Sequence, residues 1–520
     1  MAADWLKNAI FYEIYPQSFY DTNADGIGDI KGMTEKLGYV KSLGCNALWI
    51  NPWYDSPFQD AGYDVRDYCK VASRYGTLED AKVFFRAAHE MGIRVLIDLV
   101  PGHTSEEHAW FNRSSEAEEN EFTHRYIWTD NAFCRGDGMP FIGGEHPRDG
   151  TYIINFFKCQ PALNFGWREI HEPNWQHGIN DPAPLQTREA IKDIMRFWLK
   201  QGCDGFRVDM ADSLVKNDGT EKIGTMEVWR DINGTIKAEY PDCALVSEWN
   251  NPAQSLSCGF DMDFYLDWYG NGYSALARYY ELDKKGNITV DRSYFKADSS
   301  ADISGFLVDF LPKYEQSKDL GMWCLISGNH DTKRISFNLD DRERRLFMAF
   351  LMTMPGAPYV YYGDEIGMAY RWLPTKEGGY HRTGSRTPMQ WSDEKNMGFS
   401  QAEAEKLYLP VDPDEKAGNV AQQEEDPNSM LNHVRQLIRL RQSNGELGNY
   451  SPFAVYSAEE GSRLFAYKRG SLLVAVNPGL EELQLALDGK YEVLYQLGNA
   501  AIAEDKLTLH SQSFAVLRPV

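Results

Sequence analysis

Gly205-Phe-Arg-Val-Asp-Met210 decides how the rest of the chain is read. Phe206, Val208 and Met210 alternate with Arg207 and Asp209, so a strand over 205–210 puts both charges on one face. The preceding stretch has helical apolar spacing over 187–201, and Gly202 and Gly205 punctuate the turn between helix and strand. Helix, turn, strand, then a carboxylate at the strand's C-terminal end is the order of a catalytic strand in an α/β barrel. Arg207 beside Asp209 is expected to hold that carboxylate ionised. A purely structural Arg–Asp pair is the competing reading, and it has to be decided by the remaining strands.

Outward from this stretch the same rhythm recurs. Apolar strands are expected at 9–16, 46–51, 93–100, 244–249, 260–266, 325–331 and 358–363, with helices at 37–43 and 78–91 between the early ones. With 205–210 this makes eight strands, the count of a (β/α)8 TIM barrel. Thr77 is the expected N-cap and Gly92 the stop of the helix at 78–91. Residues 104–172 break the rhythm, being polar, aromatic and Gly-rich, and read as an inserted loop-rich domain after strand 3. Residues 371–430 read as long surface loops and 429–442 as an amphipathic helix. Short alternating strands from 446 onward read as a C-terminal antiparallel β domain. The domain division is therefore 1–103 and 173–445 for the barrel, 104–172 for the insert and 446–520 for the C-terminal domain.

The bulk composition of the 520 residues is globular, and a net charge of -23 argues against nucleic acid or an anionic membrane as the main partner. No secretory leader or membrane-length apolar run is visible, and the eight Cys form no CxxC pair, so free thiols and a cytoplasmic location are expected. Fourteen Trp and 29 Tyr supply many flat amphipathic rings, of the kind that sugar-binding clefts use as platforms.

Several strand ends finish in ionisable groups: Asp98 with His103 beyond it, Arg207 with Asp209, Glu248, and His330 with Asp331. One such group means little, but carboxylates gathered at the C-terminal face of a barrel make a site. Two of them suffice to hydrolyse a glycosidic bond, one attacking ionised and one donating a proton.

In the order Asp98-Leu-Val-Pro-Gly-His103, Gly205-Phe-Arg-Val-Asp209, Glu248-Trp and Asn329-His-Asp331, the chain resembles glycoside hydrolase family 13, the α-amylase family. Gln160-Pro-Ala-Leu-Asn164 and Arg386-Thr-Pro-Met-Gln-Trp391 look most like its oligo-1,6-glucosidase, α-glucosidase and trehalose synthase branch. The resemblance implies Asp209 as nucleophile, Glu248 as acid/base and Asp331 as the third carboxylate. It further implies sugar contacts from Asp60, Tyr63, His103, Gln160, Arg207 and His330, and a clamp of Asp60 with Arg386 on the non-reducing glucose. Trp249 and Phe141 are expected to add ring contacts. The implied activity is a retaining, exo-acting α-glucosidase on a disaccharide or small oligosaccharide. A glucosyl transferase or isomerase such as a trehalose synthase is the alternative, since both use one covalent intermediate. Met210 leans toward α-1,6 bonds, and monomer and homo-oligomer stay equally open. Gly102 stands where the family commonly has a calcium-binding Asn, which argues against a calcium site there, and Ala162 replaces the branch's usual Asp.

The loop Asp21-Thr-Asn-Ala-Asp-Gly-Ile-Gly-Asp29 resembles the first part of an EF-hand loop, with Gly32 in place of the closing bidentate Glu. Asp21, Asn23, Asp25, the Ile27 carbonyl and Asp29 are the expected ligands of a structural calcium, with magnesium second.

Overall fold

A computed structural model describes residues 3–377, 382–414 and 417–520. Eight parallel strands form the barrel: β1 (Phe11–Ile14), β2 (Ala47–Ile50), β3 (Arg94–Leu99), β4 (Gly205–Val208), β5 (Ala244–Ser247), β6 (Met262–Phe264), β7 (Met322–Cys324) and β8 (Tyr359–Tyr361). The hydrogen-bonded order runs β7-β6-β5-β4-β3-β2-β1-β8. The ring is closed by one bridge, Ile326 to Tyr359, in which Ser327 N–H donates to Tyr359 O (2.8 Å) and Tyr359 N–H to Leu325 O (3.2 Å). All eight strands read as buried apolar runs because helices cover the outside and side chains fill the inside. Phe11 stacks on Tyr359 at 4.2 Å and Trp49 lies 5.1 Å from Phe264, closing the lower interior.

Two boundaries differ from the periodicity. The strand expected over 325–331 lies earlier, because Met322–Cys324 keeps register with Met262–Phe264 and the chain then leaves that neighbour. The helix expected from 187 begins at Pro182, which sits in its first turn, where a missing N–H costs nothing. Thr77 caps the helix Leu78–Glu90 through a capping box with Asp80.

Between β3 and the helix Pro182–Gln201 the chain makes an irregular insert with one small hairpin, Phe141–Gly143 with Thr151–Ile153. Phe111, Trp128, Tyr152 and His146 cluster inside it, His146 and Tyr152 edge to face with Phe111 and Phe111 stacked on Trp128. The helix Met430–Ser443, capped by Ser429, closes the barrel side. From Phe453 onward a five-stranded and a three-stranded antiparallel sheet pack over Leu473, Leu485, Leu507 and Leu517. Four of these eight strands were not apparent from alternation alone, being short and half-exposed. Arg469 fastens this domain to the barrel by donating to Thr353 O, and Arg441 ties the closing helix to Met352 O (2.7 Å) and Gly356 O (2.7 Å).

Candidate active site

The strand β4 ends at Val208, so Asp209 sits at its rim and Met210 turns away in a left-handed conformation (φ 40°). That turn aims Met210 N–H at Glu248 Oε2 (3.0 Å), at the end of β5. Arg207, on the inward face of β4, reaches three carboxylates. Its Nη1 lies 2.7 Å from Asp98 and 3.0 Å from Asp209, and its Nη2 lies 2.8 Å from Glu248. Asp209 and Glu248 therefore meet across one buried guanidinium.

The guanidinium expected to hold Asp209 ionised is shared with Asp98 and Glu248. Burial and the neighbouring Glu248 carboxylate raise the Asp209 carboxyl well above its usual range, and Arg207 offsets only part of that. One positive charge is divided among three acids. Two carboxyls paired in this way can divide the work of glycoside chemistry, one attacking and one donating a proton.

Across the cavity, Asp331 Oδ1 accepts from Arg382 (2.9 Å) and Arg386 (2.8 Å), and its Oδ2 lies 3.1 Å from His330 Nε2. Burial opposes its ionisation, but His330, Arg382 and Arg386 outweigh burial and hold Asp331 well below the usual carboxylate range. Asp331 is thus a fixed negative charge.

A cavity of about 350 Å³ opens among these groups, lined by Asp60, Tyr63, His103, Asp209, Glu248 and Asp331. Phe156, Phe157, Met210, Leu266, Asp267, Trp268, Asn329, Thr332 and Arg382 complete its wall. His330 and Arg207 do not reach it. The His330 side chain is fully buried, with Glu13 on Nδ1 (3.0 Å) and the Tyr63 hydroxyl 2.8 Å from Nε2. Its expected role as a direct sugar contact gives way to one of supporting Asp331 and Tyr63. Gln160 is likewise buried and donates to Asp60 (2.7 Å). Arg386 lies behind the wall, donating to His330 O (2.8 Å), and the residue paired with Asp60 is Arg382. The clamp position expected of Arg386 therefore belongs to Arg382, four residues earlier. Trp249 is buried with its indole N–H on Gln254 (3.1 Å), and Phe141 lies outside the cavity lining.

His103 is held from the insert. Its Nε2–H donates to Tyr63 O (3.1 Å), and Asn155 Nδ2 donates to its Nδ1 (3.2 Å). Lys216 donates to Asn155 Oδ1 (3.1 Å), fixing which way that amide points. A Cβ at Gly102 would come 2.7 Å from Asn155 Nδ2, so Gly102 makes room for this amide. Burial lowers His103 to about 4, leaving it neutral.

Glu13, in the middle of β1, was the functional residue most readily missed. A charged side chain inside Phe11-Tyr-Glu-Ile14 was the available signal. Burial raises Glu13 to about 7, with His330 opposing. Burial disfavours the His330 imidazolium, but Asp331 and Glu13 outweigh it and raise His330 to about 9. A raised base contributes stability that is complete below its unfolded value of about 6.5 and is lost as pH climbs through about 9. Glu13→Gln removes one of the two carboxylates that hold the imidazolium. Its alkaline limb of kcat/KM is expected at lower pH than the wild type's, and coincident limbs would show that Glu13 does not tune His330.

In the loop 21–29, Asp21 accepts from the N–H groups of Asn23 (3.0 Å), Ala24 (2.9 Å) and Gly26 (2.8 Å). Asn23 and Asp25 accept from Asp25 and Ile27 (2.9 Å each), and Asp29 caps the next helix through Gly32. Among the described residues no three His, Cys, Asp or Glu side chains gather as a metal cage.

Residues 13–449 match the alpha-amylase catalytic domain model. The chain belongs to the α-amylase family, glycoside hydrolase family 13. It is 33% identical over 518 residues to the trehalose synthase/amylase TreS of Mycolicibacterium smegmatis, covering 88% of this chain and 81% of that one. It is 29% identical to the oligo-1,6-glucosidase of Bacillus cereus, covering 93% and 92% respectively. A crystal structure of a trehalulose synthase MutB variant with Tris superposes with a TM-score of 0.82 at 25% identity, covering 99% of this chain and 100% of that one. An isomaltulose synthase variant of Erwinia rhapontici, solved with sucrose, gives 0.79 at 25% identity, covering 99% of each chain. The chain is thus a family 13 enzyme of α-glucosides.

Proposed function

We propose that this family 13 enzyme is a retaining, exo-acting α-glucosidase. The observation that carries the reading is the pairing of Asp209 with Glu248 on one guanidinium, inside a cavity whose wall includes the Asp60–Arg382 ion pair. That pair offers fixed acceptors and donors to the hydroxyls of a terminal glucose, the arrangement an exo-acting pocket needs. Asp209 attacks the anomeric carbon and Glu248 gives its proton to the leaving oxygen. Glu248 then takes a proton from water, which releases the β-glucosyl group from Asp209 with net retention. Asp331, held ionised by His330, Arg382 and Arg386, stabilises the oxocarbenium-like charge that develops in the transition state of each step. Tyr63 and His103 present a ring face and a neutral imidazole to the sugar. Met210 lines the cavity beside the nucleophile, where its bulk favours the α-1,6 linkage.

Isomerisation is the second reading, favoured by the likeness to the mycobacterial trehalose synthase/amylase. The chemistry is shared up to the glucosyl-enzyme, and the identity of the acceptor decides the product. Incubation with maltose and with isomaltose, followed by chromatography, separates them. Glucose as the product supports the glucosidase, whereas trehalose or another rearranged disaccharide assigns the isomerase.

We also propose that the loop at 21–29 takes calcium, with magnesium second. Asn23, Asp25 and Ile27 O keep acceptor directions for a cation. Each carboxylate oxygen of Asp21 and Asp29 already accepts twice, so the ion would have to displace the Ser400 hydroxyl from Asp21 and the Thr22 hydroxyl from Asp29. Such an ion would stabilise the fold without entering the chemistry. EDTA is expected to lower Tm and added calcium to restore it; an unchanged Tm and a metal-free native mass would remove the ion from the proposal. The eight free cysteines suit a reducing, cytoplasmic setting.

A further inference from the structure

A second cavity of about 290 Å³ adjoins the first and shares Asp267, Asp331 and Thr332 with it. It lies on the side of Trp268 and continues along Tyr269, Tyr280 and Leu282 to Lys333. The first cavity, at about 350 Å³, is near the lower end of the range for ligand pockets, roughly 300–1,000 Å³. It accommodates the glucosyl unit being transferred and the unit bonded to it. The second cavity gives a longer saccharide a lined continuation beyond it.

Three features make that continuation a built surface. First, Tyr269 is 69% exposed and Trp268 is 55% exposed, consecutive large rings left in solvent at the mouth of the site. Rings so placed expose apolar faces that a pyranose can cover. Second, the Tyr280 ring is supported from behind, 5.4 Å from Phe337, on the small hairpin Tyr280–Leu282 with Ile288–Asp291. At the tip of that hairpin Gly286 (φ 83°) meets the Trp372 ring, where a Cβ would come within 2.7 Å, so the wall is packed in place. Third, Asp267 stands at the junction of the two cavities with its side chain 10% exposed. Its ion-pair partner, Arg278, is 3.5 Å away and already donates to Lys333 O (2.8 Å) and Ser327 O (2.7 Å). No donor among the described residues reaches the Asp267 carboxyl within hydrogen-bonding geometry. The Asp267 oxygens open onto the two cavities, where a sugar hydroxyl can donate to them in place of water. Burial pushes its proton affinity up, with Arg278 and Lys333 opposing.

We infer that this cavity is a further saccharide-binding station on the leaving-group side. Asp267 accepts from sugar hydroxyls at the junction, and Tyr269 and Tyr280 carry the third glucosyl unit. The inference rests on the glucosidase reading and narrows it: the preferred substrates are α-glucosyl oligosaccharides of three or more units, cut one glucose at a time from the end held by Asp60 and Arg382.

The test compares maltose, maltotriose and maltotetraose, and the matching isomalto-series, on the full chain and on the double variant Tyr269→Ala, Tyr280→Ala. The wild type is expected to show kcat/KM about five-fold higher for the trisaccharide than for the disaccharide, the effect of one ring contact. In the double variant that ratio falls to about one while the disaccharide value is unchanged. Calorimetric binding of the same sugars to the Asp209→Asn protein gives a readout independent of turnover. There the trisaccharide is expected to bind about five-fold tighter than the disaccharide, and Asp267→Asn, introduced into it, to weaken the trisaccharide. Equal values for two and three units, in turnover and in binding, overturn the station and leave the glucosidase reading standing. Chain-length-dependent binding without hydrolysis of any member overturns the glucosidase reading and keeps the station.

Discussion

Asp209→Asn is expected to lower kcat by on the order of 10⁴-fold or more, the scale on which loss of a nucleophile is felt. The amide keeps the shape and can still accept from Arg207, but it cannot form the glucosyl ester. The same substitution carries a second, opposite signature. In the wild type the Asp209 carboxyl is raised by burial and by Glu248. A raised acid favours the folded state while protonated, so its contribution is lost as pH rises from the unfolded value, about 3.9, through the folded one. An amide does not titrate. Thermal melts at neutral pH are therefore expected to place Asp209→Asn above the wild type, with the two converging in acid. Retained turnover would take the nucleophile role from Asp209. A lower Tm at neutral pH would show that Arg207 needs that carboxylate more than Glu248 is repelled by it.

Glu248→Gln is expected to separate substrates by the quality of their leaving group. For a natural glucoside the departing alkoxide needs the proton, and removing the donor costs on the order of 10²–10⁴-fold in rate. For a nitrophenyl glucoside the leaving oxygen is already a weak base, so the first step is expected to survive and the glucosyl-enzyme to accumulate. A burst of nitrophenol matching the enzyme concentration, then a slow phase accelerated by azide, is the expected trace. An equal loss on both substrates would remove Glu248 from proton transfer.

The barrel was legible because its strands are buried on both faces and so appear as apolar runs ending in polar groups. Asp209, Glu248 and Asp331 could be read from their position just past such runs. Arg382 and Arg386 could not be told apart in this way. They are four residues apart in an irregular stretch, and which one faces Asp60 depends on a turn that leaves no periodic trace. The same holds for Phe156, Asp267 and Trp268, which belong to loops whose course is set by the barrel rather than by local pattern. His330 was assigned the right neighbourhood and the wrong depth, since adjacency to Asp331 says nothing about which of the two is covered. Glu13 was visible all along as a charge in an apolar strand, but its partner lies 317 positions away in the chain. Separation of that kind is settled by the tertiary fold alone.

The meeting of β7 and β8 is the weak stave-joint of the cylinder. Every other neighbour pair shares two or more residues in register, whereas this one relies on Ile326 and Tyr359. Regions with few protecting backbone bonds open before the molecule as a whole, and Asn329, His330 and Asp331 follow directly from this joint. Warming should therefore unlatch the fixed negative charge while the rest of the structure persists. Deuterium uptake at 325–331 is expected to outrun that of β3 and β4, and catalysis to fail several degrees before bulk melting. An enzyme engineered for heat would gain most from stitching that edge.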